Sequence, residues 1–281
     1  MDAQSSQVFF PSNFHQLFSL WNRFPDAAPC AGGTGFFIEQ GKRVPEFPQN
    51  IISLDTIQEL HRISRTERYL EIGAMVNLNQ IINLGRTVPE ALTRCLKRIA
   101  GPHVRNMATI GGNICFPSRK LDAAAPMIAL DAQYELRSAQ SSRWVPAAYF
   151  SPPSPASPAR EILTRIRVPL APWSFTWYRK FLSAGSTGGE GSILFIMKNE
   201  KNILTNIRVL YSGKTILREK KSETMFLGKR LPLARKDVEA YLDSWRIYLS
   251  SIEGDEENSK AELIKPRVIS FIKTMLQHIS D

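Results

Sequence analysis

Hydrophobic and polar positions in the first fifty residues follow two different periods. The apolar run 8–10 is typical of a strand, and residues 50–54 predict another short one. Between them, large apolar side chains recur at helical spacing, and Ser12 stands where it would cap the helix. These side chains are Phe14, Leu17, Phe18 and Trp21. The pattern predicts a β-α-β lobe over residues 1–54.

Residues 55–172 mix short strands with amphipathic helices. Strands are predicted at 60–63, 69–72, 133–137 and 161–168, and helices at 88–100 and 122–130. Asn77 and Gln80 have the spacing of a capping box and predict the start of another helix. The interval 101–119 is predicted to be a loop. Four prolines within residues 151–158 exclude a helix or central strand there and predict a surface crossing.

The composition changes after Pro172, and a third unit is predicted over residues 173–281. Strands are predicted at 175–181, 192–197 and 202–211, with a glycine-rich turn at 185–191. Two helices follow, at 236–252 and 258–279, and Pro266 is expected to break or kink the second. The chain is therefore expected to be an α+β protein with three units, 1–54, 55–172 and 173–281.

Composition narrows the classes of protein. The chain has 281 residues, 43% hydrophobic and 22% charged, which is typical of a globular protein. No apolar run approaches the roughly 18 residues needed to span a bilayer, and the start shows no basic and apolar leader, so we expect a cytoplasmic protein without membrane insertion. The net charge of +10 is interspersed with acidic residues, so nucleic-acid binding is not expected.

Cysteine and histidine usage gives no sign of a metal site. Cys30, Cys95 and Cys115 are far apart and odd in number, which fits no disulfide framework. They are also too few for the four thiolates of an ordinary iron-sulfur cluster. The four histidines show no ligand spacing. We therefore expect no metal bound by this chain alone.

Two glycine-containing loops are candidates for ligand binding. Residues 31–35 read Ala31, Gly32, Gly33, Thr34, Gly35, and residues 109–113 read Thr109, Ile110, Gly111, Gly112, Asn113. Glycine allows close approach of the backbone to a ligand, and successive N–H groups form an anion site, so both loops are able to hold phosphate. Taken singly, each loop is more readily interpreted as a tight turn than as a ligand site. Neither matches the Walker or the dinucleotide fingerprint.

Several landmarks together resemble a known family over nearly the whole chain. They are Ala-Gly-Gly-Thr at 31–34, Ile-Gly-Ala-Met-Val at 72–76, Ala-Thr-Ile-Gly-Gly-Asn-Ile at 108–114, Asp122, Leu-Asp-Ala at 130–132, and Glu-Ile-Leu at 161–163. Their order is similar to that in the FAD-binding medium subunit of the molybdenum hydroxylases, the xanthine dehydrogenase and carbon monoxide dehydrogenase type. The resemblance implies a two-lobed FAD-binding domain of the PCMH (vanillyl-alcohol-oxidase-like) type, followed by a smaller α+β C-terminal domain.

The resemblance also implies roles for individual residues. The loops 31–35 and 109–113 would enclose the FAD pyrophosphate through backbone N–H groups, and Asp122 would bind sugar or ribityl hydroxyls. Leu163 would contact the flavin ring system, Lys180 would reach the isoalloxazine, and Tyr178 would stack on it or else pack as a core aromatic. The chain departs from the family pattern at Gly35, at Ile99 and after Asp122, where it reads Ala-Ala-Ala-Pro.

By resemblance, the chain would carry electrons without a catalytic residue of its own. Partners would be a molybdopterin-binding large subunit and a small subunit with two 2Fe–2S clusters, and NAD or another acceptor would reoxidise FAD. Three alternatives stay open at this point: a self-sufficient FAD oxidoreductase, an assembly subunit of the same fold that has lost FAD, and a basic nucleic-acid binder.

Overall fold

The computed structural model describes seven stretches of the chain: residues 6–40, 46–116, 122–153, 160–182, 189–213, 215–251 and 259–279. It divides the chain between Ala171 and Pro172 into two units. Helices and sheets occur in both, which confirms the predicted mixed α+β fold. The predicted boundaries at residues 54 and 172 stay predictions. Within the described stretches, no helix combines the length and apolar character needed to cross a bilayer.

The first unit begins with a small parallel sheet. Its strands are β1 (Gln7–Phe9), β2 (Ala28–Cys30) and β3 (Asn50–Ser53), in the order β1-β3-β2, with helices α1 (Phe14–Arg23) and α2 (Thr34–Gln40) between them. The predicted apolar face of α1 is confirmed, since Phe14, Leu17, Phe18 and Trp21 are buried.

The predicted cap of α1 is wrong by one residue. The Asn13 side chain accepts the Gln16 N–H at 2.9 Å and is the N-cap, whereas Ser12 donates its own N–H and hydroxyl to the Gln16 side chain. Both residues are good helix caps, so the sequence alone did not distinguish them.

A five-stranded antiparallel sheet follows in the same unit. Its strands are β4 (Ile63–Arg65), β5 (Tyr69–Gly73), β6 (Gln133–Arg137), β7 (Ser142–Pro146) and β8 (Ile162–Pro169), in the order β4-β5-β8-β6-β7. The predicted strand at 60–63 is wrong, because Gln58–His61 forms a 3-10 turn that buries Leu60 completely. Strand β7 was not predicted. A short apolar run fits a single helical turn as well as a strand. The sequence pattern alone therefore does not distinguish the two.

Five short helices accompany this sheet: α3 (Leu78–Asn83), α4 (Glu90–Leu96), α5 (Pro102–Met107), α6 (Ile110–Ile114) and α7 (Ala124–Ala129). The capping box of Asn77 and Gln80 at α3 is confirmed. Over residues 101–116 the predicted loop is wrong, because α5 and α6 lie there, and residues 117–119 lie outside the described stretches. Helix α5 buries no side chain and α6 contains two glycines, so neither has the apolar periodicity that predicts a helix.

The second unit packs helices on one face of an antiparallel sheet. Strands β9 (Phe175–Leu182), β10 (Gly189–Glu200), β11 (Ile203–Ser212) and β12 (Ile216–Leu217) lie in the order β12-β11-β10-β9, followed by α8 (Lys220–Met225), α9 (Arg235–Ser251) and α10 (Ser259–His278). Trp245, Phe195 and Ile272 are among the core residues with no exposed surface. Of the two outcomes expected at Pro266, a break is excluded because α10 continues through that residue, and a kink stays a prediction. Burial of Val268, Phe271 and Ile272 stabilises the turns that follow.

Candidate functional site

The first glycine loop, residues 31–35, connects β2 to α2 and leaves several backbone donors without a protein acceptor. Gly33 has φ of +71° and open space where a side chain would be, which permits the tight turn closed by the Phe36 N–H to Gly33 carbonyl bond of 3.2 Å. In the described part of the chain, the N–H groups of Gly32, Thr34 and Gly35 have no protein acceptor. The Gly33 N–H between them is directed at the Cys30 sulfur, so only Thr34 and Gly35 are consecutive free donors. Free N–H groups of neighbouring residues in a turn are suited to an anion.

The second loop, residues 109–113, uses its backbone donors inside the protein. The N–H groups of Ile110 and Gly111 donate to carbonyls of the 72–76 segment, at 3.0 and 2.9 Å. Those of Gly112 and Asn113 donate to the side chain and the carbonyl of Thr109, both at 3.0 Å. A ligand here would therefore meet side chains and glycine Cα atoms. The expectation that this loop offers free N–H groups is wrong for these four residues, because turn chemistry alone does not show where each donor is used.

The structure brings the two loops together. A Cβ on Gly32 would lie 1.8 Å from the Met107 carbonyl oxygen, so the first loop rests directly on the chain that enters the second. A Cβ on Gly112 would lie 3.7 Å from Ala31 Cβ. Gly32 is therefore required by close approach of two backbones, whereas Gly112 makes ordinary contact with the first loop. Together they form the candidate site.

The second loop packs on the residue that follows β5, and that residue is hydrogen-bonded to β8. Gly111 packs on Ala74, where a Cβ would meet both the Ala74 side chain and carbonyl at 2.7 Å. The Ala74 N–H in turn donates to the Thr164 carbonyl at 3.0 Å. Leu163 is adjacent in β8, buried and in register with Leu136. The structure therefore places Leu163 in the strand that supports the second loop.

Asp122 lies close to the second loop in space as well as in the sequence. The Asn113 side-chain oxygen accepts the Ala123 N–H at 3.3 Å, which fixes the chain next to Asp122. The Asp122 carbonyl accepts the Cys95 thiol at 3.2 Å, and Cys95 is fully buried in α4. Asp122 itself is half-buried. This arrangement places the backbone at Asp122 next to Asn113 of the second loop.

Tyr178 and Lys180 belong to the second unit and lie on the same face of β9. Tyr178 is buried and in register with Leu194, and Lys180 is half-buried and in register with Ser192. Phe175, Trp177 and Phe181 pack against the helical core on the other face of the strand. The predicted roles of Tyr178 and Lys180 toward the flavin ring stay predictions.

Burial keeps the thiols near the loops neutral. It raises the pKa of Cys30, and the Gly33 N–H directed at the sulfur opposes this only in part. Burial also raises the pKa of Cys115, at the end of α6, to about 12. At neutral pH neither thiol adds negative charge or a nucleophile beside the loops. Among the described residues, no group of three or more His, Cys, Asp or Glu is arranged to hold a metal ion.

Sequence reasoning missed Arg105 and Asn79, which hold the entry to the second loop. The Arg105 guanidinium donates to the carbonyl oxygens of Ile99 and Ala100, after α4, and to the Asn79 side chain. Neither residue stands in a recognisable motif. Because their partners are mostly backbone carbonyls, no sequence signal was present to identify them.

Comparisons with known proteins agree with this geometry. The family described as "FAD binding domain in molybdopterin dehydrogenase" matches residues 4–171. The nicotinate dehydrogenase FAD-subunit of Eubacterium barkeri is 28% identical over 84% of this chain and 83% of its own length. The carbon monoxide dehydrogenase medium chain of Hydrogenophaga pseudoflava is 28% identical over 78% of both chains. A solved structure of carbon monoxide dehydrogenase from that organism, lacking the Mo-pyranopterin moiety of the molybdenum cofactor, superposes with a TM-score of 0.80 at 24% identity, over 98% of this chain and 96% of that one.

Proposed function

We propose that this chain is the electron-transfer subunit of a molybdenum-containing hydroxylase. The chain belongs to the family of FAD-binding domains of molybdopterin dehydrogenases, and its cofactor is FAD. It would receive electrons from 2Fe–2S clusters on a small partner subunit and pass them through FAD to NAD or another acceptor. A large partner subunit would hold the molybdopterin and the organic substrate. Support for these partners comes from the similarity to a medium chain of carbon monoxide dehydrogenase.

The observation that carries the proposal is the juxtaposition of the two glycine loops. One loop presents the unbonded N–H groups of Gly32, Thr34 and Gly35, and the other is packed against it through Gly112. A pyrophosphate carries charged oxygens that accept several N–H bonds at once, and such charge-assisted bonds are stronger than neutral ones. The residues present therefore fit FAD, and the first unit would be a PCMH-type FAD-binding domain.

Each site residue has a distinct task in this account. The first loop would bind the pyrophosphate, while Asn113 and Asp122 would orient sugar or ribityl hydroxyls. Leu163 would present an apolar surface to the ring system. The roles that the resemblance implies for Tyr178 and Lys180 toward that ring stay predictions. The neutral Cys30 thiol would avoid repulsion of the anionic phosphates. FAD supplies the redox chemistry, since it takes up electrons singly and releases them in pairs.

The proposed role is tested by isolating the tagged chain from its native host under mild conditions and identifying what accompanies it. We expect two further chains, one with molybdopterin and one with iron and acid-labile sulfide in the ratio of two 2Fe–2S clusters. Added NAD or an artificial acceptor should reoxidise the reduced complex. A chain that contains FAD but purifies alone, and reduces an acceptor with an organic substrate unaided, would contradict the proposal and support a self-sufficient oxidoreductase.

A further inference from the structure

Helix α5 (Pro102–Met107) lies against the first glycine loop but buries no apolar side chain. Its last residue, Met107, presents the carbonyl on which Gly32 rests, and the next residue, Ala108, begins the second loop segment. None of the six side chains of α5 is buried, and those of Val104 and Met107 are 42% and 58% exposed. A six-residue helix is too short to be stable by itself. Hydrophobic burial therefore does not hold α5 in place, and its position depends on polar contacts.

Those contacts converge on Arg105. Its Nη1 donates to the carbonyl oxygens of Ile99 and Ala100 at 2.8 and 2.7 Å, and lies 3.4 Å from that of Lys97. Ile99 and Ala100 lie beyond the last residue of α4, so the guanidinium holds α5 against the segment that leaves that helix.

The other side of the guanidinium reaches α3 through Asn79. Arg105 Nε donates to the Asn79 Oδ1 at 3.0 Å. The Asn79 Nδ2 donates to the Pro102 carbonyl at 3.0 Å and to the Asn106 Oδ1 at 2.6 Å. The amide is therefore hydrogen-bonded near both ends of α5. We call Arg105 and Asn79 the α5 anchor. Through one planar side chain it joins α5 to α3 and to the segment after α4, which a lysine ammonium does not reproduce.

We propose that Arg105 is a positioning residue for the FAD site. By fixing α5, it sets the place of the Met107 carbonyl and thereby the separation of the two glycine loops that enclose the cofactor. Arg105 does not itself need to contact FAD. This inference rests on the proposed function, and it adds a residue that controls how tightly and in what geometry the cofactor is held.

The test uses the full chain with substitutions at the anchor and a matched control. Arg105→Ala removes the anchor, Arg105→Lys keeps the charge without the fork, and Asn79→Ala is a milder change on the other side. Arg94→Ala is the control, because Arg94 lies nearby on α4 and forms an exposed ion pair with Glu90. Measured quantities are the FAD dissociation constant and release rate, the circular dichroism of bound flavin, and the thermal midpoint of each apoprotein.

Loss of charge-assisted bonds to the carbonyls is expected to weaken FAD binding about tenfold to a hundredfold in Arg105→Ala. Arg105→Lys and Asn79→Ala should lie between this variant and wild type, with an altered flavin dichroism, and Arg94→Ala should match wild type. A purely structural role would instead lower the apoprotein midpoints and leave the affinity and dichroism of folded protein unchanged, which would overturn the inference. If Arg105→Ala does not fold, the two milder variants decide between these outcomes.

Failure of the inference is distinguishable from failure of the proposed function. Wild-type protein that binds FAD, with anchor variants that bind it equally well and with the same dichroism, overturns the positioning role alone. Wild-type protein that binds no FAD at all contradicts the proposed function, and the anchor inference fails with it.

Discussion

Substitution of Gly32 by alanine is the sharpest local test of the site. The added methyl carbon would lie 1.8 Å from the Met107 carbonyl oxygen and 2.8 Å from the carbonyl carbon. Real Cβ atoms essentially never lie closer than 3.0 Å to such atoms, so one of the two backbones has to move by more than 1 Å. Since both backbones belong to the candidate site, the movement separates the glycine loops.

The magnitude follows from the kind of overlap. Forcing an additional methyl group into a well-packed place costs about 1–3 kcal/mol, and here the obstacle is backbone that has no alternative rotamer. If the free N–H groups of the first loop lose their alignment with the pyrophosphate, each lost charge-assisted bond weakens binding by about another 1.5–3 kcal/mol. We therefore expect FAD affinity to fall by at least about a hundredfold.

Gly85→Ala provides a matched control. Gly85 has φ of +65° and nothing within 4 Å of the position of a Cβ, so the same mutation there costs only the strain of left-handed backbone, about 1–2 kcal/mol. FAD bound per chain is measured by flavin absorbance after dialysis, and affinity by titration of the apoprotein. Gly32→Ala protein that retains FAD with the affinity of Gly85→Ala would refute the packing argument for the site.

Three further predictions address stability and the second loop. Trp245→Ala should destabilise the second unit by about 3–5 kcal/mol because its side chain is fully buried, whereas Ile247→Ala on the same helix, 71% exposed, should change little; denaturant unfolding compares them. Burial alone would raise the pKa of Glu135, but its hydrogen bonds with Arg165 outweigh this and lower it. The ionised carboxylate therefore stabilises the fold at pH values above its ordinary pKa, and this stability is lost as the pH falls through the lowered pKa. Thermal midpoints should therefore decline less steeply below about pH 5 in Glu135→Gln than in wild type, and equal slopes would contradict this. Thr109→Val removes the N-cap of α6, so it should lower the free energy of unfolding by about 1 kcal/mol and weaken FAD binding. Thr109→Ser keeps the hydroxyl and should leave stability and FAD affinity unchanged.

Much of the fold was predictable where burial imposes a period on the sequence. The apolar face of α1, with Leu17 and Trp21, shows the helical period because the helix packs one side on a core. Strand β6 was likewise predicted with its observed bounds, Gln133–Arg137, since its side chains alternate between buried and partly exposed. The short helices α5 and α6 were missed because they bury few side chains or are rich in glycine, and periodicity then carries no signal.

The candidate site was predictable in its glycine motifs and less so in its construction. Glycine runs at Gly32 and Gly111 indicated close backbone approach, but which backbone approaches them depends on tertiary packing against Met107 and Ala74. The two loops have similar glycine-containing sequences, yet N–H groups are free in the first and bonded within the protein in the second. This difference was visible only in the structure. Arg105 had no motif, because its acceptors are backbone carbonyls that any sequence provides.

The central claim, that this chain holds FAD for electron transfer, is tested most directly by the flavin content of the purified protein. The chain is denatured, and the released flavin is identified by chromatography and quantified against protein. The account predicts FAD, in place of FMN or free riboflavin, at about one molecule per chain, with the bound flavin reducible by electrons from a 2Fe–2S donor protein. A colourless chain that takes up no added FAD, even together with its co-purified partners, would contradict the account and identify the protein as an assembly subunit of the same fold.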